Sequence, residues 1–207
     1  MLKIKICGIT NAVDALKACE YGADALGFIF AKSPRKINPK AAKQIIKRVP
    51  RFIARVGVFV NADKADVLRI IKECGLDTLQ FHGEETDKYC AFFQKYCKII
   101  KAFRIKDKYS INAIKNYNHA HAYLLDSYSK DVYGGTGYTF SYNLLRNTRF
   151  KRPVIISGGI NEKNWRKIAN TLHPFAFDVS SSIERSPGKK NLKKMRDLIK
   201  QVKLLQI

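Results

Sequence analysis

A thiol, a carboxyl and two serine-rich turns are the groups of this chain best suited to chemistry, and each stands where an apolar run stops. Cys7 closes the run Lys3-Ile4-Lys5-Ile6-Cys7, and Gly8 and then Thr10 or Asn11, either able to cap the next helix, follow it. Asp126 closes Ala122-Tyr123-Leu124-Leu125-Asp126. A free cysteine is most often a small buried hydrophobe. Its intrinsic pKa of about 8.5 is nevertheless close enough to neutral for a modest local shift to make it a useful base. A carboxyl at an apolar strand end is desolvated, which raises its pKa and suits it to donate a proton. Such a pair can flank one substrate, one group as base and the other as acid.

Other strand ends carry groups that suit an anionic substrate. Ser157-Gly158-Gly159 and Ser180-Ser181-Ser182 offer backbone N–H groups and hydroxyls, the parts of a phosphate cradle. Gly134-Gly135-Thr136-Gly137 sits in the longest connection, Ser127–Phe140, and can close over the same group. Arg35 can hold a carboxylate in a two-pronged hydrogen bond. Gln80 and His82 end another apolar run; His82 is a secondary choice of proton carrier, since a lone histidine is more often structural. Asp178 shares the inward face with Ser180, where it can pair with Lys5 or orient a sugar hydroxyl.

The elements that position these residues alternate. Strand period predicts Lys3–Cys7, Ala25–Phe30, Ala54–Val60, Thr78–His82, Ile99–Phe103, Ala122–Asp126, Val154–Ser157 and Phe175–Val179. Helices are predicted over Asn11–Tyr21, Pro39–Val49, Asp63–Cys74, Glu84–Tyr96, Ile111–Asn118, Ser141–Asn147, Asn161–Leu172 and Leu192–Leu205. Eight strand–helix units without a linker predict one α/β domain over residues 1–207, a (β/α)8 TIM barrel near the lower limit of that fold's size. An open doubly wound sheet is the alternative, but the G-x-G-x-x-G expected after its first strand is missing. In a barrel, function gathers at the carboxyl ends of strands, where these polar residues fall. On the first strand, Lys3, Lys5 and Cys7 share one face, and Ile4 and Ile6 the other.

Composition bounds the partners. Of 207 residues, 46% are hydrophobic, and no apolar run approaches the roughly 18 residues of a membrane span. No signal-peptide pattern precedes the first strand, so a cytoplasmic protein is expected. The five cysteines, Cys7, Cys19, Cys74, Cys90 and Cys97, form no C-x-x-C pair, which suggests reduced thiols and no metal site. A net charge of +22 raises the question of nucleic acid. The cations are spread along the chain without a basic tail, so no nucleic-acid partner is expected, and the basic field instead favours small anions.

Together these strings resemble the phosphoribosylanthranilate isomerase family over almost the whole chain. They include Lys5-Ile-Cys-Gly-Ile-Thr10, Gly22-Ala-Asp-Ala-Leu-Gly-Phe-Ile-Phe30, Ser33-Pro-Arg35, Arg55-Val-Gly-Val-Phe-Val-Asn61 and Leu79-Gln-Phe-His-Gly-Glu84. Leu125-Asp126, Gly134-Gly-Thr-Gly137, Ser157-Gly-Gly-Ile160, Asp178-Val-Ser-Ser181 and Ser186-Pro-Gly-Lys-Lys190 complete the set. The resemblance implies a cofactor-free Amadori rearrangement of a phosphosugar by a monomer or homodimer. It implies Cys7 as general base, Asp126 as general acid, Arg35 on the substrate carboxylate, and the Ser157 and Ser180 loops, with Gly135, Gly158, Gly159 and Ser181, on the phosphate. A histidine-pathway isomerase of the same fold is the nearest alternative, but that family typically uses two aspartates. Ser182 stands where the family usually has glycine, so strain is expected there if the backbone needs a positive φ. Phe81, for a more usual leucine, reads as a packing variant.

Overall fold

The computed structural model describes residues 1–127, 145 and 148–205. Eight parallel strands close into a barrel in chain order. They are β1 (Lys3–Cys7), β2 (Ala25–Ile29), β3 (Ala54–Phe59), β4 (Thr78–Phe81), β5 (Lys98–Ile105), β6 (Ala122–Ser127), β7 (Val154–Ser157) and β8 (Ala176–Val179). The described helices are α1 (Ala12–Tyr21), α2 (Pro39–Ile46), α3 (Lys64–Cys74), α4 (Asp87–Phe93), α5 (Lys108–Ile114), α6 (Trp165–Leu172) and α7 (Leu192–Leu204). None of them is long and apolar enough to cross a membrane. The (β/α)8 architecture read from the alternation is therefore the one found. Apart from Leu145, the helix expected over Ser141–Asn147 lies outside the described residues. So does the connection beyond Ser127, with Gly135 and its neighbouring glycines.

Strand alternation sorts the core into two parts. Ile4, Ile6, Leu26, Phe28, Leu79, Phe81, Ile99 and Leu125 face outward into the large apolar layer between strands and helices. Val56, Ile100, Ala102, Ala122, Leu124, Ile155 and Ala176 face inward and fill the barrel with small and branched side chains. Phe81 packs with Tyr89 and Phe93 at ring-centroid distances of 5.1 and 5.4 Å, which bears out its reading as a packing residue. Helix starts follow local chemistry. The side chains of Asn11, Asn38, Thr86, Asp107 and Asn191 each accept a backbone N–H of the first turn. Such caps are each worth about 1 kcal/mol.

Several boundaries differ from the sequence reading for identifiable reasons. Helix α4 begins at Asp87 rather than Glu84, because Thr86 caps it and Glu85 turns inward to a buried lysine. Strand β5 runs on to Ile105, because Arg104 and Ile105 stay paired with Asp126 and Ser127. Helix α6 starts at Trp165, since the side chains of Asn161 and Asn164 bond within the preceding turn. A short hairpin, β9 (Glu184–Ser186) with β10 (Lys189–Lys190), follows β8 and was not foreseen. The strain expected at Ser182 is absent. Among the described non-glycine residues only Asn61 and His173 have positive φ, and Ser182 lies in a 3-10 turn, Ser181–Ile183.

Candidate active site

The carboxyl-terminal mouth of the barrel gathers most of the residues singled out above. Cys7, 6% exposed, ends β1 pointing inward above Lys5. Lys5 is itself buried and pairs with Asp178 on β8, Nζ to Oδ1 at 2.8 Å, which is one of the two roles expected for Asp178. Burial alone would lower the pKa of Lys5, but Asp178 and the neighbouring Cys7 outweigh it and hold the ammonium form. Cys7 does not shift toward neutrality as expected. Burial pushes its thiol up, against the opposing pull of Lys5 and Lys190. The other buried thiols lie away from the mouth, and burial drives Cys74, Cys90 and Cys97 up to about 11, about 12 and about 11.

Two glycines make room for this arrangement. Gly8 has φ +76°, and a Cβ there would lie 2.7 Å from Arg35 Cδ and 3.2 Å from Ser180 Oγ, so the chain turns away from β1 in contact with both neighbouring loops. A Cβ on Gly27 would lie 2.7 Å from Cys7 Sγ and 3.1 Å from Lys5 Cε. The expected result of Gly27→Ala is a thiol pushed off its position, with a loss of about 10-fold or more in turnover and an overpacking cost of about 1–3 kcal/mol. Steady-state kinetics beside a urea titration checks it; unchanged turnover would show that the space above Cys7 is not needed.

Across the mouth, Gln80 on β4, His82 just beyond it and Asp126 on β6 form an array, hydrogen-bonded between Gln80 and His82 and in charge-pair contact between His82 and Asp126. Gln80 Nε2 lies 3.0 Å from His82 Nδ1, and His82 Nε2 lies 3.3 Å from Asp126 Oδ2. The Asp126 side chain is 27% exposed, so the strand end buries it only in part. The loop carrying His82 is anchored from below. Lys101 Nζ, fully buried, donates to the carbonyls of Phe81 and Gly83 at 3.3 and 2.6 Å and to Glu85 at 3.2 Å. Glu85 in turn accepts the backbone N–H groups of Asn61 and Gly83 at 2.8 and 2.9 Å.

The two serine loops meet on the far side. Ser157 is paired with Asp126 in the β6–β7 register. Gly158 and Gly159 follow with φ of +85° and +68°, and the Gly159 carbonyl is held by Asn161 Nδ2 at 2.9 Å and Asn164 Nδ2 at 2.8 Å. Ser182 Oγ donates to the Ile160 carbonyl, so the residue expected to strain the second loop ties it to the first. Ser180 Oγ is buried without a hydrogen-bond partner among the described residues, and Ser181 is exposed.

Arg35 reaches the same mouth, but its fork is engaged within the chain. Nε lies 2.9 and 3.0 Å from the two Glu184 oxygens, and Nη2 lies 2.7 Å from Oε2. The Nη1 side of the fork is not engaged by Glu184. Glu184 and Lys190 are the site residues that sequence reasoning missed. Lys190 Nζ, with no exposed surface, donates to the Cys7 carbonyl at 2.6 Å, to the Ser180 carbonyl at 3.3 Å and to Glu184 at 2.9 Å. The only sequence signal was the tight turn at Ser186-Pro187-Gly188, which could have suggested a hairpin folding back on the mouth.

A closed parallel barrel whose polar side chains converge at the carboxyl ends of its strands defines a (β/α)8-barrel enzyme. The family model described as N-(5'-phosphoribosyl)anthranilate (PRA) isomerase matches residues 4–201. The N-(5'-phosphoribosyl)anthranilate isomerase of Geobacter metallireducens is 43% identical over 204 residues, 98% of this chain and 100% of that one. The phosphoribosyl anthranilate isomerase structure from Thermotoga maritima is 40% identical at a TM-score of 0.92, covering 99% of this chain and 100% of that one. A phosphoribosyl anthranilate isomerase solved with reduced 1-(o-carboxyphenylamino)-1-deoxyribulose 5-phosphate is 38% identical at a TM-score of 0.88, with the same coverage. The chain belongs to the N-(5'-phosphoribosyl)anthranilate isomerase family.

Proposed function

We propose that this chain converts N-(5-phosphoribosyl)anthranilate to 1-(2-carboxyphenylamino)-1-deoxy-D-ribulose 5-phosphate in tryptophan biosynthesis, without a cofactor or metal. The observation that carries the reading is the inward thiol on β1 opposite a histidine-backed carboxyl on β6, in a chain matched by the isomerase family over nearly its full length. Asp126 gives a proton to the ring oxygen as the C1–O bond breaks and the nitrogen lone pair forms C1=N. Cys7 as thiolate removes the C2 proton, and the resulting enolamine passes to the ketone by protonation at C1. Separate groups suit the two proton transfers, because each needs its own protonation state and position.

The anions of the substrate have matching donors. The phosphate lies against Ser157, Gly158, Gly159, Ser180 and Ser181, and the unpartnered Ser180 hydroxyl is a donor that such an anion would satisfy. Gly135 belongs to the same proposal, although it lies outside the described residues. The anthranilate carboxylate takes the free side of Arg35. Lys5 and Asp178 act as a locked pair beneath the thiol, with Asp178 also bordering the sugar. The chain works as one domain, monomeric or homodimeric, in the cytoplasm, with a small phosphosugar and neither nucleic acid nor membrane as its partner.

The test is fluorescence-monitored turnover of substrate generated in situ from anthranilate. Turnover by the folded wild-type protein is expected. Its absence, with the protein folded, would redirect attention to other phosphosugars.

A further inference from the structure

The Gln80–His82–Asp126 array contains one more functional statement, which rests on the reading of Asp126 as the acid. Gln80 is 1% exposed on β4, and His82 follows two residues on, just beyond the strand end at the mouth. The Gln80 Nε2 amide group is a donor only, so at 3.0 Å from Nδ1 it requires that nitrogen to be the acceptor. The ring proton then sits on Nε2, the atom 3.3 Å from Asp126 Oδ2. The Gln80 Oε1 atom is buried without a partner among the described residues, so a hydrogen bond is forgone on the oxygen side while the NH2 group faces the imidazole. Arg104, partnered with Asp126 in the β5–β6 register, is exposed. Lys101 is occupied by Glu85 and backbone carbonyls.

We propose that Gln80 and His82 are positioning residues for the general acid: Gln80 fixes the histidine tautomer, and the Nε2–H group so presented holds the Asp126 carboxylate that forms as the proton leaves. A donor aimed at the developing anion favours the transition state over the protonated ground state, which is the differential binding that raises kcat rather than lowering KM. The tautomer matters because the opposite one would turn a lone pair toward that anion.

Nitrogen-15 NMR of the histidine rings in the intact protein tests the tautomer directly. There are four histidines, and His82→Gln assigns the signal. The expected result is an unprotonated Nδ1 and a protonated Nε2 on His82 at neutral pH. A protonated Nδ1 in the wild type overturns the proposal, whatever the outcome of the turnover assay, so its failure is distinguishable from failure of the isomerase reading. Gln80→Glu replaces the donor with an acceptor and is expected to put a proton on Nδ1; an unchanged spectrum counts against the role of Gln80. In kinetics, His82→Ala is expected to lower kcat about 10- to 100-fold with KM within about twofold, the loss of one hydrogen bond to a charged group. His82→Gln, which keeps a donor at the reach of Nε2, is expected to restore most of it. Equal losses in both variants, or a change confined to KM, would mean that His82 serves packing or substrate binding instead.

Discussion

Cys7→Ser and Asp126→Asn are each expected to lower kcat by about 10²- to 10⁴-fold, the usual contribution of one positioned acid or base. Both substitutions nearly preserve shape. Serine fits the space above Gly27 that the thiol occupies, and asparagine keeps an oxygen at the place of the carboxylate that faces His82. The loss should therefore appear in kcat and not in the unfolding transition. A hydroxyl is too weak an acid to become the base at accessible pH, and an amide has no proton to give the ring oxygen. The pH profile separates the two roles. Burial raises the Cys7 pKa above its ordinary value, so the free enzyme holds mostly thiol at neutrality and the thiolate grows on the alkaline side. Wild-type kcat/KM should accordingly rise with pH through and beyond the ordinary thiol range, and that rise should vanish in Cys7→Ser. A Cys7→Ser enzyme with near wild-type kcat would remove the thiol from the mechanism and make His82 the next base to test.

Much of this site was legible because strands have a period of two. Once Lys3–Cys7 is a strand with Ile4 and Ile6 facing the helices, Cys7 and Lys5 must face the barrel interior, and the same argument turns Leu124 and Asp126 inward. Glycine after a strand end marks where the backbone turns, so the mouth could be traced loop by loop. What was not legible depends on distance in the chain. Arg35 and Glu184 are 149 residues apart, and no local pattern says that the arginine fork is filled from within. Lys190 sits beside another lysine in a basic stretch, where a cation reads as solvated; a two-residue strand gives no periodicity to show that it is buried. Lys101 likewise sits in an apolar strand, and only closure of the barrel brings the carbonyls of Phe81 and Gly83 around its ammonium. Ser182 failed in the other direction. The glycine usual at that position suggested a positive φ, whereas the chain here makes a 3-10 turn that a serine accommodates and uses. The Cys7 pKa also escaped, because its direction depends on depth of burial weighed against two lysines, and sequence gives neither.

Lys190→Met is expected to destabilise the protein by about 3–5 kcal/mol, the cost of removing one partner from a buried ion pair. The side chain has no exposed surface, and Glu184 has 5%. Methionine fills most of the volume, so the loss comes from charge and hydrogen bonds rather than from a cavity. Glu184 would keep only Arg35 and the Gly188 N–H, while the Cys7 and Ser180 carbonyls would lose the donor that joins the end of β1 to the loop after β8. The two members of the pair respond differently to burial. Lys190 has one carboxylate beside it, and burial wins, lowering its pKa. For Glu184 burial also works against the charge, but Arg35 and Lys190 together overcome it and hold the carboxyl below its ordinary value. A depressed carboxyl contributes stability that is fully present above its unfolded pKa, near 4.3 for a free glutamate, and that is lost as pH falls through the lower folded value. Urea unfolding at neutral pH should thus show the full deficit of Lys190→Met, and the gap to wild type should narrow on acidification through that window. Glu184→Gln should flatten the same acid limb. A deficit at neutral pH of only ~1 kcal/mol or less, the value of an exposed pair, would show that the hairpin end is solvated and that Lys190 does not lock the mouth.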